Sequence, residues 1–361
     1  MEKFEDNIDK FLLRRIAYNI PEKAKLKRVK LKGEILDSPV LASKKYHLNE
    51  YLGFKNYDQI VLEFESILRE NFGSHCDISS FYRNIKDLVI TEEKSTIITT
   101  IKRLLGRNNE GCYYPESNEI ALMSDNNGRD VAFHELLHLA SSKVTPEDIV
   151  FTGFCQGKDL GEIITGECIN EGYTEYLNCK YFIQRDSIYY DDDKIIARGI
   201  EDIIGSSKME ELYFNSDLKG LINELSKYCS EQVVNNLVAR LDTLTEGRRP
   251  TRSKAYRVFA EARQTIAGIK INKVRTQYNQ GQISEVEKEK QILFAKLYSL
   301  EGLVFEQDAH IIKEEDGIRI TDRNNNVFID NKANIKVGNR IYEYQVKNKK
   351  GDYLCKKEWM N

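Results

Sequence analysis

Residues 134–138 read His134-Glu135-Leu136-Leu137-His138, and this run constrains the fold more than any other feature of the chain. Two of only five histidines in 361 residues stand four apart, with an acid directly after the first. At this composition such a run arises by chance in roughly one chain in a hundred. On an α-helix, residues four apart lie one turn apart on the same face. Both imidazoles can then reach one cation at ~2.0–2.1 Å while Glu135 projects beside them. A pair of purely structural helix histidines would leave the placement of Glu135 an accident. The opposite face carries Ala132, Leu136, Leu139 and Ala140, so one helix over about 129–143 offers a metal face and a core face together.

A metal that does chemistry takes three protein ligands and keeps a fourth position for water. No histidine follows His138 until His310, so an imidazole a few residues beyond the motif, as in the metzincin pattern, is not available. A downstream carboxylate is the natural third ligand. Candidates are Glu162, Glu167, Glu171 and Glu175, the last three within GECINEGYTEYLNCKYF, which has helical spacing over about 166–182. By position alone Glu171 and Glu175, one turn apart, are equally placed, and their roles could be exchanged.

Within that helix Asn170-Glu171-Gly172-Tyr173-Thr174-Glu175 resembles the NE-x-x-x-acid helix of the gluzincins, the zinc peptidases that include thermolysin-like enzymes and a group of aminopeptidases. The resemblance implies Zn2+ as the metal, one per chain, with His134, His138 and Glu171 as ligands. It implies Glu175 as the acid that hydrogen-bonds a ligand histidine, with Asn170 as a second supporting side chain. Glu135 would be the general base that activates water, and a tyrosine would steady the oxyanion, with Tyr173 the first candidate and Tyr176 and Tyr256 behind it. The reaction implied is hydrolysis of peptide bonds in a peptide or protein substrate. The likeness covers roughly residues 112–182, about a fifth of the chain. The 32 residues between His138 and Glu171 exceed the family's usual connection, so an inserted loop, Thr145–Thr165, is expected to shape the cleft.

Ahead of the motif, GCYYPESNEIALMS reads as strand, turn and strand, with Pro115 to Asn118 as the turn. In the zincin layout an edge strand precedes the active-site helix and binds extended substrate by strand addition. Residues 119–123 would be that edge, with Glu119, Ile120 and Ala121 along the substrate. Helical spacing is expected over residues 4–18, 48–72 and much of 194–300, and Asp191 to Asp193 suits a loop or a helix N-terminus. After about 310 the period changes to alternation, as in Ile318 and Ile320 or Val327 and Ile329, with RNNN, DNKAN and KNKKGD as turns. The expected fold is therefore α+β: a zincin-like core with a mainly helical subdomain and a small C-terminal β appendage. Three parts follow: a helical and extended segment over 1–75, the metallopeptidase domain over 76–300, and the appendage over 301–361.

Charge and cysteine usage narrow the partners. Fifty-four basic against 57 acidic side chains leave a net charge of −3, with no global field to draw in nucleic acid or an anionic membrane. The basic run Lys23, Lys25, Lys27, Arg28, Lys30 and Lys32 has no interleaved aromatics and reads as a solvated strand face. No stretch approaches the roughly 18 consecutive apolar residues of a membrane span, and the N-terminus lacks signal-peptide features. Seven cysteines without a CxxC pair fit reduced thiols in a cytoplasmic protein. Spacings of 13 and 11 residues among Cys155, Cys168 and Cys179 do not match a zinc knuckle. Two other classes of function remain in view. One is a non-catalytic binding or regulatory module that keeps zinc for structure, for which a general base at Glu135 has no use. The other is a nucleic-acid-binding regulator with an attached protease core, which would need a basic surface outside it.

Overall fold

The computed structural model describes residues 27–30, 57–93, 111–123, 128–144, 149–158, 165–185, 190–244, 251–305 and 309–314, together with 317–321, 326–330, 334–337, 340–347 and 352–357. The helix expected over 4–18, the start of the one expected over 48–72, and Glu162 lie outside them. The chain is a mixed α+β protein, rich in helix with small sheets. It divides into two units, Met1–Val258 and Phe259–Asn361. The breaks expected from sequence are at 75/76 and 300/301.

In the first unit, β1 (Lys27–Lys30) precedes helix α1 (Tyr57–Phe72), whose Tyr57, Ile60, Val61, Phe64, Leu68 and Phe72 recur every three or four residues and are all buried. Short helix α2 (Ser79–Asn84) and a 3-10 turn lead to β2 (Val89–Glu93). The hairpin β3 (Gly111–Tyr114) and β4 (Glu119–Met123) follows, its turn closed by Asn118 N–H on the Pro115 carbonyl at 3.3 Å. The sheet order is β1-β2-β4-β3, with β2 and β4 parallel and the other pairs antiparallel. Ile90, Ile120 and Tyr113 pair across three strands and form one buried row. A one-residue slip would replace Ile120 with Glu119 or Ala121 in that row.

Helix α3 (Gly128–Ala140) packs on β3, β4, α1 and α2, and every residue from Ala132 to Ala140 is buried. Phe133 on α3 meets Phe64 at 6.0 Å between ring centroids, and Phe64 stacks on Phe182 at 4.7 Å. The C-terminal end of α3 is held by the Asn84 amide, which donates to the carbonyls of Leu139 and Ser142, each at 2.9 Å. The expected helix thus stops three residues early, because Ser142 opens a second sheet. Within the stretch expected as an inserted loop, the described residues 149–158 add two strands to that sheet: β5 (Ser142–Val144), β6 (Ile149–Thr152) and β7 (Cys155–Lys158) run antiparallel in sequence order. Helix α4 (Glu167–Leu177) then runs into a π-helical turn, Asn178–Phe182. Helices α5 (Asp191–Ile204), α6 (Ser206–Phe214), α7 (Leu218–Ser226) and α8 (Glu231–Asp242) follow.

The division falls within α9 (Arg252–Asn279). Beyond it lie α10 (Glu285–Glu301) and six strands, β8 (His310–Glu314), β9 (Gly317–Thr321), β10 (Asn326–Asp330), β11 (Asn334–Val337), β12 (Arg340–Lys347) and β13 (Asp352–Lys357). These six form an antiparallel meander in chain order, as the alternation and turn residues predict. Ile318 pairs with Ile329 and Ile329 with Ile335, so the apolar alternants share one face. Among the described residues no helix is long and apolar enough to cross a membrane.

Candidate metal centre

Helix α3 delivers two imidazoles to one point and α4 delivers a carboxylate. His134 Nε2 lies 3.1 Å from His138 Nε2 and 3.3 Å from Glu171 Oε2, and His138 Nε2 lies 3.3 Å from Glu171 Oε1. Three atoms at 2.0–2.1 Å from a tetrahedral ion stand about 3.3 Å apart. Each imidazole Nε2 stands about that far from the other and from one oxygen of the Glu171 carboxylate, Oε2 for His134 and Oε1 for His138, so one metal ion could lie among the three side chains. This is the group among the described residues whose donor atoms could hold a metal ion.

The imidazoles are aimed by their other nitrogens. Glu175 Oε2 accepts from His134 Nδ1 at 2.8 Å, which fixes the ring's orientation and turns Nε2 toward Glu171. Asn178 donates to the same oxygen at 3.3 Å, and the Cys179 thiol approaches Oε1 at 3.7 Å. This distinguishes the two acids that sequence left exchangeable: Glu171 reaches the Nε2 atoms and Glu175 the outer nitrogen. Asn170 lies 3.3 Å from His138 Nδ1 while its Oδ1 accepts from the Phe154 N–H of the second sheet at 3.1 Å. The inserted sheet thus holds a side chain that touches a ligand.

The charges of the cluster act strongly on one another. Burial alone would lower the His134 pKa, but hydrogen bonds to Glu171 and Glu175, with the charge of Glu135 nearby, raise it well above its ordinary value. Burial would likewise raise Glu171, yet the two imidazoles outweigh that and hold its carboxyl far below the usual range. A histidine lone pair facing a carboxylate is repulsive until a proton or a metal ion lies between them. Glu135 is pushed the other way: burial raises its pKa, against the pull of the imidazoles and of a hydrogen bond from the Tyr113 backbone N–H. Strand β3 can lie this close because position 111 is glycine. A Cβ there would stand 2.5 Å from Val131 Cγ1 and 2.9 Å from Glu135 Oε1.

Two expected placements are corrected. Strand β4, with Glu119, Ile120 and Ala121, is not an edge: it is paired with β2 on one side and β3 on the other, so its backbone groups serve the sheet. Among the described residues the strand at the end of the sheet beside Glu135 is β3. Tyr173 does not join the ligands. Two residues on from Glu171 it lies on the far side of α4, fully buried against Phe154 and Tyr213 at 5.7 and 5.4 Å. Tyr176 turns away as well, its hydroxyl on Glu201 at 3.3 Å, and Tyr256 is exposed on α9.

The tyrosine at the ligands is Tyr190, which sequence reasoning missed. Its ring stacks on His134 with centroids 5.6 Å apart and planes at 11°, and its hydroxyl hydrogen-bonds to Glu171. The Glu171 charge raises the hydroxyl pKa well above its usual value, so the group stays a proton donor, although the residue as a whole is exposed. The only sequence signal was indirect: the acidic run Asp191 to Asp193 marks a helix N-terminus, and Tyr190 directly precedes it.

Compared with known protein families, curated proteins and solved structures, the chain matches none of them.

Proposed function

We propose that this chain is a zinc-dependent metallopeptidase with a zincin-like core. The four-stranded sheet with its antiparallel edge strand β3, the helix α3 and the ligand helix α4 make up that core. The observation that carries the reading is the convergence of His134 Nε2, His138 Nε2 and the Glu171 carboxylate, with nearest atoms 3.1–3.3 Å apart and Glu135 buried beside them. Two nitrogens and one carboxylate suit zinc and leave a position open for chemistry. When bound there, zinc would supply Lewis acidity toward a carbonyl and toward water.

The remaining steps belong to the chain's own residues. Glu135 takes a proton from the attacking water and holds it on a carboxylate oxygen, a task its raised pKa favours. It then passes the proton to the leaving amine. The Tyr113 N–H keeps the carboxylate aimed, and Glu175 keeps the His134 imidazole aimed. An extended substrate aligns along β3, whose backbone runs beside the base. A purely structural zinc site would leave Glu135 without a purpose.

Zinc content by elemental mass spectrometry, with peptide hydrolysis measured in parallel, tests the assignment. Wild type is expected to carry about one zinc per chain. Glu171→Ala and the milder Glu171→Gln lose it, whereas Glu135→Ala keeps the zinc and loses hydrolysis by a hundredfold or more, about the size of a general-base contribution. A wild-type chain without zinc, or a Glu171→Ala variant that retains it fully, sinks the reading.

A further inference from the structure

We propose that Tyr190 is a positioning residue for the metal, holding two of the three ligands from outside the HExxH motif and its partner helix. The inference rests on the metal reading above and adds to it a residue that neither motif contains. Three observations carry it.

First, Tyr190 touches both kinds of ligand. Its ring lies nearly parallel to His134, and its hydroxyl donates to Glu171. Stacking limits rotation of the imidazole about its side-chain bonds, and the hydrogen bond limits swinging of the carboxylate. Glu175 restrains His134 only in the ring plane, through Nδ1; the Tyr190 ring restrains it perpendicular to that plane. Second, the backbone spends conformational energy to put it there. Tyr190 adopts φ 52° and ψ 34°, a left-handed conformation uncommon for a bulky side chain, as the residue that caps α5. Its carbonyl accepts from the Lys194 N–H at 2.7 Å, which fixes that conformation to the helix. Third, α5 is seated against the ligand helix at the residue next to Glu171. A Cβ on Gly172 would stand 2.2 Å from the Asp193 carbonyl oxygen, and the Cys168 thiol donates to the Asp193 carboxylate at 2.9 Å. The first turn of α5 therefore lies directly on α4, and Tyr190 is carried to the ligands by that contact.

The test uses full-length Tyr190→Phe and Tyr190→Ala beside wild type. Zinc affinity is read by competition with a chromophoric chelator, and ligand geometry from the visible absorption of the cobalt(II)-loaded protein. Phe keeps the stack and removes the hydrogen bond; Ala removes both. The dissociation constant is expected to rise about tenfold for Tyr190→Phe and toward a hundredfold for Tyr190→Ala, the range found when groups that orient metal ligands are removed. The cobalt bands are expected to shift in both variants. If Tyr190→Ala does not fold, Tyr190→Phe decides alone. Variants that hold zinc as tightly as wild type, with superimposable cobalt spectra, overturn the role of Tyr190 and leave the metal site standing. A wild type that binds neither metal overturns the metal reading itself, and this inference with it.

Discussion

The Asn170 amide stands between two donors once a metal is bound. With Nε2 of His138 committed to the ion, the neutral imidazole keeps its proton on Nδ1, 3.3 Å from Asn170, while the Phe154 N–H claims the amide oxygen at 3.1 Å. One amide oxygen turned toward one donor leaves its nitrogen facing the other; a carboxylate has acceptors for both. Asn170→Asp is therefore expected to bind zinc at least as tightly as wild type. Chelator competition reads this, and an aspartate variant that binds zinc more weakly than wild type would show that His138 does not turn an Nδ1 proton toward this side chain. At this scale the sequence was most informative where spacing alone sets geometry. His134, Glu135 and His138 follow from one helical turn, and Glu171 and Glu175 reach different nitrogens of the pair it holds. Tyr190 and Gly111 were not legible, because their roles come from contacts made by a helix cap and a strand edge far from the motif in sequence. Tyr173 was misplaced for a helical reason: proximity in sequence to a ligand puts a residue two positions on toward the opposite side.

The contact between α4 and α5 carries an unusual acid. Asp193 is raised to about 7, chiefly by burial, with the charge of Glu171 adding to the rise and the Cys168 hydrogen bond opposing it. A carboxyl whose folded pKa lies above its unfolded value of about 3.9 binds a proton in the fold that the unfolded chain releases. Its contribution to stability is complete below about pH 4 and is lost as pH rises through about 7. Metal-free protein, in which no cation alters the field of Glu171, is thus expected to melt several degrees lower at pH 8 than at pH 5.5. Asp193→Asn should remove part of that difference, and a variant with the same drop as wild type would show that Asp193 is ionised throughout. At the scale of elements, the hairpin before the motif, both ligand helices and the C-terminal strands were legible, because each has a clean period or a turn of known chemistry. The sheet made from residues 142–158 was not. Its strands are only three and four residues long, too short for alternation to be seen against the glycines between them. The identity of the edge strand was hidden as well: a hairpin read from sequence does not say which of its strands finds a second neighbour, and here β2 arrives from residues 89–93 to cover β4.

The division at Val258/Phe259 was illegible for a related reason. Helical periodicity runs on from α5 to α10, and periodicity shows that a face is buried without showing in which core. On α9, Phe259, Ala262, Ile266 and Ile269 are buried, as are Phe294 and Tyr298 on α10, where Phe294 stacks with Phe305 at 4.6 Å. The candidate metal centre, by contrast, lies wholly within the first unit. Its ligands, their orienting groups and Tyr190 lie between residues 134 and 190, and the aromatic packing behind α3 comes from Phe64, Phe81 and Phe182. The last contribution in sequence to this set is Asp242, whose two carboxylate oxygens accept from the Gly166 N–H at 3.0 and 2.9 Å where α4 begins. A chain ended after Pro250 therefore keeps each described side chain that reaches, aims or backs the ligands, together with the cap of the helix that carries Glu171. Such a truncation is expected to hold zinc at the same stoichiometry as the full chain, with chelator competition giving a dissociation constant within about threefold, the usual scatter of context effects on one interaction. A truncated chain that is folded by circular dichroism yet binds zinc far more weakly would show that the second unit supports the metal centre. Equal affinity would place metal binding in the first unit alone and leave the meander free to serve a separate purpose.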